Sequence, residues 1–151
     1  MITIEVCETI DAPRDAVWRQ VEDIESHTEW MKDAVRITPE DDQRRGVGAS
    51  FECLTRVGPL FTTDRFVVTH WQPGESMAIE HRGAVTGHAQ FVLHDAGNGR
   101  TRFCWRERLR FPWWLGGVVG ELVGRPVLRH IWRGNVTRLK ASIEHLQQET
   151  P

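Results

Sequence analysis

Tyrosine is absent from this 151-residue chain, and lysine nearly so: two Lys stand against seventeen Arg, while Trp occurs seven times. The missing Tyr leaves Trp and Phe to fill or line any large apolar surface. Cysteine is scarce as well. Cys7, Cys53 and Cys104 lie far apart with no CxxC pair, which argues against zinc and against a disulfide framework. Free thiols in a reducing cytoplasm are therefore the expectation. No run of about eighteen apolar residues occurs, so no membrane-spanning helix is expected. The opening Met1-Ile2-Thr3-Ile4-Glu5 has neither the basic start nor the apolar core of a secretory leader. Seven His include no pair at i, i+4 and no HExxH, and there is no GxSxG, no Cys beside a His and no phosphate loop. Gly46-Val47-Gly48 reads as a turn entering a strand. Neither a metal nor a cofactor is expected.

What is present suits one globular domain spanning residues 1–151. The composition is 40% hydrophobic and 26% charged, and a domain of this size buries roughly two-thirds of its unfolded surface. The net charge of −2 excludes a generic polyanion binder. Charge is unevenly placed, with the acidic excess before residue 100 and the basic excess after it. Two segments that neutralise each other in the fold account for that pattern without a nucleic-acid partner.

Residues 2–10 alternate, with Ile2, Ile4, Val6 and Ile10 on one face, as in a half-buried strand. Pro13 then suits the first turn of a helix carrying Val17, Trp18, Val21 and Ile24. Ser26 followed by Glu29 predicts a capping box opening a second short helix with Trp30 and Met31. Six strand-like runs follow, near 34–43, 48–57, 61–72, 76–82, 85–94 and 101–111, separated by Gly- and Pro-containing turns. Short connections between successive strands predict an antiparallel meander. From Pro112 to about Gln148 the period becomes helical, with Leu128, Ile131, Trp132, Val136, Leu139, Ile143 and Leu146 in one stripe. Pro126 is expected to kink or divide this helix. The predicted class is α+β: a curved antiparallel sheet of about seven strands gripping a long C-terminal helix, with two short helices after strand 1. One helix cannot fill such a concave face, which leaves room for a cavity.

The segment Ile10-Asp11-Ala12-Pro13-Arg14-Asp15-Ala16-Val17-Trp18 resembles the opening of START-like, helix-grip (SRPBCC) proteins. Glu29-Trp30-Met31, Gly99-Arg100-Thr101 and Val136-Thr137-Arg138-Leu139-Lys140 resemble later parts of the same pattern. The best match is the polyketide cyclase/dehydrase and lipid-transport branch, over essentially the whole chain. The resemblance implies a fold and an interior cavity, and it offers no catalytic motif to carry over; function has to be argued from the cavity.

The last strand is the most informative. Phe103, Trp105, Glu107, Leu109 and Phe111 share one parity, and Arg102, Cys104, Arg106, Arg108 and Arg110 the other. The aromatic set should face the helix, so Glu107 points inward among rings, either paired or with a raised pKa. His81 shares a parity with Met77 and Ile79 and is a second interior candidate. Parity leaves His70 undecided, and Glu8 interrupts the apolar face of strand 1. Phe51, Met77, Phe91, Phe103 and Trp105 are expected on the cavity walls, with Thr55, His81, Glu107 and Asn135 as the polar groups that orient a ligand. For each polar residue a purely structural partnership is the competing reading.

The Arg face of the last strand reads as solvated, with Glu5 as a cross-strand partner if the first strand neighbours the last. In that arrangement Cys7 and Cys104 share an outer face as free thiols. The stretch 112–124 combines two adjacent Trp with four Gly, a poor helix by propensity. Trp113, Trp114, Gly116 and Gly117 are candidates for a mobile gate at the cavity mouth or for contact with a lipid surface; close helix-on-sheet packing is the alternative. Three functions remain open. The first is binding or transport of a small hydrophobic ligand such as a lipid or polyketide. The second is cofactor-free cyclisation of a poly-ketone with Glu107 or His81 as acid and base. The third is an interaction module at a lipid or protein surface.

Overall fold

The computed structural model describes residues 1–149. Strand β1 (Ile2–Ile10) leads into helix α1 (Arg14–Val21) and a short 3₁₀-helix (Ile24–Glu29). Strands β2 (Ala34–Pro39), β3 (Ser50–Val57), β4 (Leu60–Gln72), β5 (Ser76–Arg82), β6 (Thr86–Gly97) and β7 (Arg100–Arg110) follow, and helix α2 (Gly117–Glu149) closes the chain. The strands form one curved antiparallel sheet in the order β1-β7-β6-β5-β4-β3-β2. The predicted helix-grip architecture is present, with the first strand beside the last.

Alternation in the sequence decides which side chains face inward. On β7, Phe103, Trp105, Glu107 and Leu109 are buried while their Arg neighbours face out. On β1, Ile2, Ile4, Val6 and Ile10 join them. The C-terminal half of α2 lies over this end of the sheet, inserting Trp132, Val136, Leu139 and Ile143. Lys140 donates to the Thr9 carbonyl, and Glu144 accepts from the Asp11 backbone N–H, which fixes the helix to the end of β1.

Four local expectations need correction. Ser26 does not cap a helix: its hydroxyl donates to the Asp23 carbonyl from within the 3₁₀-helix, and Trp30 lies just past the end. Pro126 does not divide α2. The carbonyl four residues earlier belongs to exposed Leu122, so water can take the place of the missing N–H. The glycines of 116–124 do not prevent a helix either. Gly116, in the left-handed region, ends a turn at Trp113–Leu115, and α2 starts at the next residue. A Cβ on Gly120 would fall 1.9 Å from the Leu115 carbonyl oxygen, and one on Gly124 would fall 3.0 Å from the Phe111 ring. The small residues allow close approach here. Finally, Cys7 and Cys104 are not free: they stand directly opposite each other in the β1–β7 register and form a disulfide, leaving Cys53 as the free thiol. The pairing withdraws the thiol argument for a reducing compartment.

The ambiguity at His70 is resolved by a β-bulge between Val68 and His70. The extra residue switches the parity, so Val68 and Trp71 both pack inward and His70 turns out to bond Ser76 at 2.8 Å. Among the described residues, no helix is long and apolar enough to cross a membrane.

Candidate functional site

The end of the concave face toward β3, β4 and β5 is not filled by α2, and a cavity of about 460 Å³ occupies it. Such a volume suits a small organic ligand. The C-terminal half of α2 is committed to β1 and β7, its first turns are tied through Glu121 to Met1 and Phe111, and Val123, Val127 and Leu128, with Leu115 just before the helix, line one side of the cavity. The β3–β4 hairpin contributes Val57 and Leu60. These two edges frame the opening.

Of the residues anticipated from sequence, Thr55, Met77, His81, Phe91, Trp105 and Glu107 line the cavity. Phe51 lies one ring back, stacked at 5.3 Å on Phe66, which lines the cavity in its place. Phe103 packs against Phe91 at 5.1 Å in the part of the sheet that Val136, Leu139 and Ile143 already cover. Asn135 is fully buried but structural. Its Nδ2 donates to Asp33 Oδ1 at 2.7 Å, and its Oδ1 accepts from the Lys32 backbone N–H and from Arg138. It therefore clamps the connection into β2 onto α2. Trp113 and Trp114 do not line the cavity; they face outward, Trp113 with 87% of its surface exposed. Gly116 and Gly117 form the turn that starts α2 beside the opening.

At the inner wall, three polar groups make a chain. Trp105 Nε1 donates to Glu107 Oε2 at 3.1 Å, and His81 Nε2 donates to Glu107 Oε1 at 2.6 Å. Both carboxylate oxygens are satisfied, which is how an acid is tolerated between aromatic walls. Trp105 itself stacks on Trp132 at 4.9 Å and meets Phe91 edge-on at 5.5 Å, so the ring that orients Glu107 is held on two sides. Burial acts to lower the His81 pKa, but the hydrogen bond and charge of Glu107, with the nearby charge of Asp64, outweigh it and raise the value above 6.5. That direction favours the imidazolium form beside the carboxylate, a pair that can hold or hand on a proton.

Sequence reasoning missed four lining or anchoring groups. Asp64 shares a parity with Phe66 and Val68, so alternation along β4 could have found it. Asp33 sits in a turn and carried no periodic signal. His27 lies in the 3₁₀-helix, where its Nε2 donates to the Val21 carbonyl at 2.7 Å. Burial there lowers its pKa to about 4, so it is neutral where His81 is charged. Glu121, within the Trp-Gly stretch, is buried and accepts from the Phe111 backbone N–H and the Met1 amine. It pins the first turns of α2 to the end of β7. Among the described residues, no group of three or more His, Cys, Asp or Glu is arranged to hold a metal.

The two histidines have opposite consequences for stability. His81, with its folded value raised above 6.5, stabilises the fold fully below that pH and loses the contribution as pH rises through the folded value. His27, lowered to about 4, stabilises the fold fully above 6.5 and loses the contribution as pH falls toward 4. An NMR titration of the imidazole protons is expected to show one histidine at each extreme. Glu107→Gln should bring His81 below 6.5, since burial then dominates, and leave His27 in place. An unchanged His81 would remove Glu107 as its partner.

Comparison with known proteins agrees with this geometry. The solved structure of TTHA0849 from Thermus thermophilus superposes with a TM-score of 0.78 at 14% identity, covering 94% of this chain and 97% of that one. The Zhui aromatase/cyclase from Streptomyces sp. R1128 gives 0.73 at 15% identity, with 95% and 93% coverage. A protein from Thermobifida fusca gives 0.75 at 12%, with 97% and 95% coverage. At these identities the likeness establishes the fold alone. No curated protein is significantly similar in sequence. Residues 1–146 match the family described as polyketide cyclase/dehydrase and lipid transport, and the chain belongs to that family.

Proposed function

We propose that this protein, acting as a single domain, binds and carries a small, largely apolar molecule in the cavity between its concave sheet and α2. The observation that carries the reading is the cavity itself: about 460 Å³, walled by Met77, Phe91, Trp105 and Leu109, with one hydrogen-bonded polar chain at its inner wall. An apolar lining supplies affinity roughly in proportion to the area it covers, and a few fixed polar groups orient the ligand. Titration with an uncharged fluorescent dye such as N-phenylnaphthylamine should give saturable binding. Ala89→Trp, which adds an indole beside Glu107 inside the cavity, should weaken it by at least about tenfold, the loss of 1.4 kcal/mol or more of contact. Equal affinity in that variant would place the dye elsewhere.

The 2.6 Å contact between His81 and Glu107 supports a second reading, proton transfer during cyclisation of a poly-ketone. Glu107 would take a proton from an acidic methylene while the His81 imidazolium protonates the ketone oxygen under attack, and proton transfer along the 2.6 Å contact would restore the pair. This reading requires turnover that Glu107→Gln abolishes while dye binding persists.

The rim supports loading at a lipid surface. Trp113, Trp114, Val118, Val119 and Leu122 are exposed together, and the exposed positions that follow on α2 include Arg125, Arg129 and Arg133. Apolar side chains beside guanidinium groups suit an anionic interface. Sedimentation with vesicles containing phosphatidylserine is expected, and Trp113→Ser with Leu122→Ser should abolish it. Vesicle binding unaffected by both changes would contradict this use of the rim.

A further inference from the structure

The polar wall of the cavity has a definite sign. Asp33, Asp64 and Glu107 line it together with His81 and His27, and among the described residues no Lys or Arg does. His27 is neutral at physiological pH. His81 is hydrogen-bonded to Glu107 and, when protonated, is its counter-charge. Asp33 and Asp64 have no such partner: neither forms an ion pair with any described residue. Asp64 Oδ1 accepts only the Ala84 backbone N–H at 2.9 Å, and Asp33 Oδ1 accepts Asn135 Nδ2. Arg138, which shares Asn135 with Asp33, directs its donors to Asn135 and the Trp30 carbonyl. Each aspartate thus keeps an oxygen with no protein donor on the cavity wall.

We infer that the cavity selects amphiphiles whose polar end is cationic or hydrogen-donating, and rejects those ending in a carboxylate or phosphate. A carboxylate oxygen facing a ligand needs a donor once water is displaced. An ammonium or hydroxyl head supplies one. An anionic head would instead face two uncompensated negative charges with no guanidinium or ammonium to receive it. Like charges within about 4 Å at protein-edge screening oppose binding by enough to cost far more than tenfold, before water relieves part of it. Hydroxyls of Thr55 and Thr62, paired across β3 and β4, extend the same wall with groups that accept as well as donate. The selection rests on the cavity being the ligand site, as proposed above, and adds the chemistry of the ligand's head.

Displacement of N-phenylnaphthylamine separates the two claims. Dodecylamine, dodecanol and laurate share one apolar tail and differ at the head. Dodecylamine and dodecanol are expected to displace the dye, and laurate to require at least about tenfold higher concentration. The double variant Asp33→Asn, Asp64→Asn keeps a carbonyl oxygen at each position for the existing N–H donors. It should bring laurate close to dodecylamine while leaving dodecanol within about twofold. Laurate displacing as well as dodecylamine from the natural protein, or a laurate-to-amine ratio unmoved in the double variant, would overturn the head-group selection and leave the cavity reading standing. A dye that fails to bind, or one that no amphiphile displaces, would overturn the cavity reading and this inference with it.

Discussion

A single helix is narrower than the concave face of a seven-stranded sheet, and most of what is distinctive here follows from that mismatch. The C-terminal half of α2 places Trp132, Val136, Leu139 and Ile143 over the end of the sheet that carries β1 and β7. Anchors at Thr9 and Asp11 hold it there. The end that carries β3, β4 and β5 is left without a covering helix, and the cavity is the unfilled remainder. Burying apolar surface would stabilise the protein further, so a void of this size, walled by rings that pack on one another, is maintained against the ordinary tendency of cores to close-pack.

The polar groups on the wall are tolerable because of how the surrounding rings are fixed. Glu107 would be untenable between Trp105 and the other aromatics if either oxygen lacked a donor. Trp105 and His81 satisfy one oxygen each, and Trp105 is in turn held by Trp132 and Phe91. Changing any member of this chain exposes the need of the next. By contrast, the first turns of α2 are held chiefly by Glu121 and by glycines that let the helix approach Leu115 and Phe111. The same turns direct their large apolar side chains outward, so the mouth of the cavity is also its most hydrophobic exterior.

Most of the sheet's facing was readable from period. The alternation in β7 named Phe103, Trp105 and Glu107 as inward, and the shared parity of Met77, Ile79 and His81 brought His81 to the same side. Four features were hidden for different physical reasons. A bulge in β4 reverses parity after Val68, which no count of alternating residues reveals. The disulfide depends on register, since facing the same side does not say that Cys7 and Cys104 stand opposite each other. Asn135 is buried in the helix stripe, but its partner Asp33 lies in a turn a hundred residues away, so its structural role is a tertiary fact. Phe51 and Phe103 do point inward, yet whether an inward ring meets a cavity or a helix is set by where α2 lies.

The central claim is that the space beside α2 is a ligand site and not a packing defect. Native mass spectrometry of freshly purified protein, followed by solvent extraction, tests it most directly. The account predicts a discrete mass increment that is released on denaturation and identified in the extract as an apolar molecule without an anionic head. Protein that carries no adduct, and that gains none after incubation with dodecanol, would contradict it.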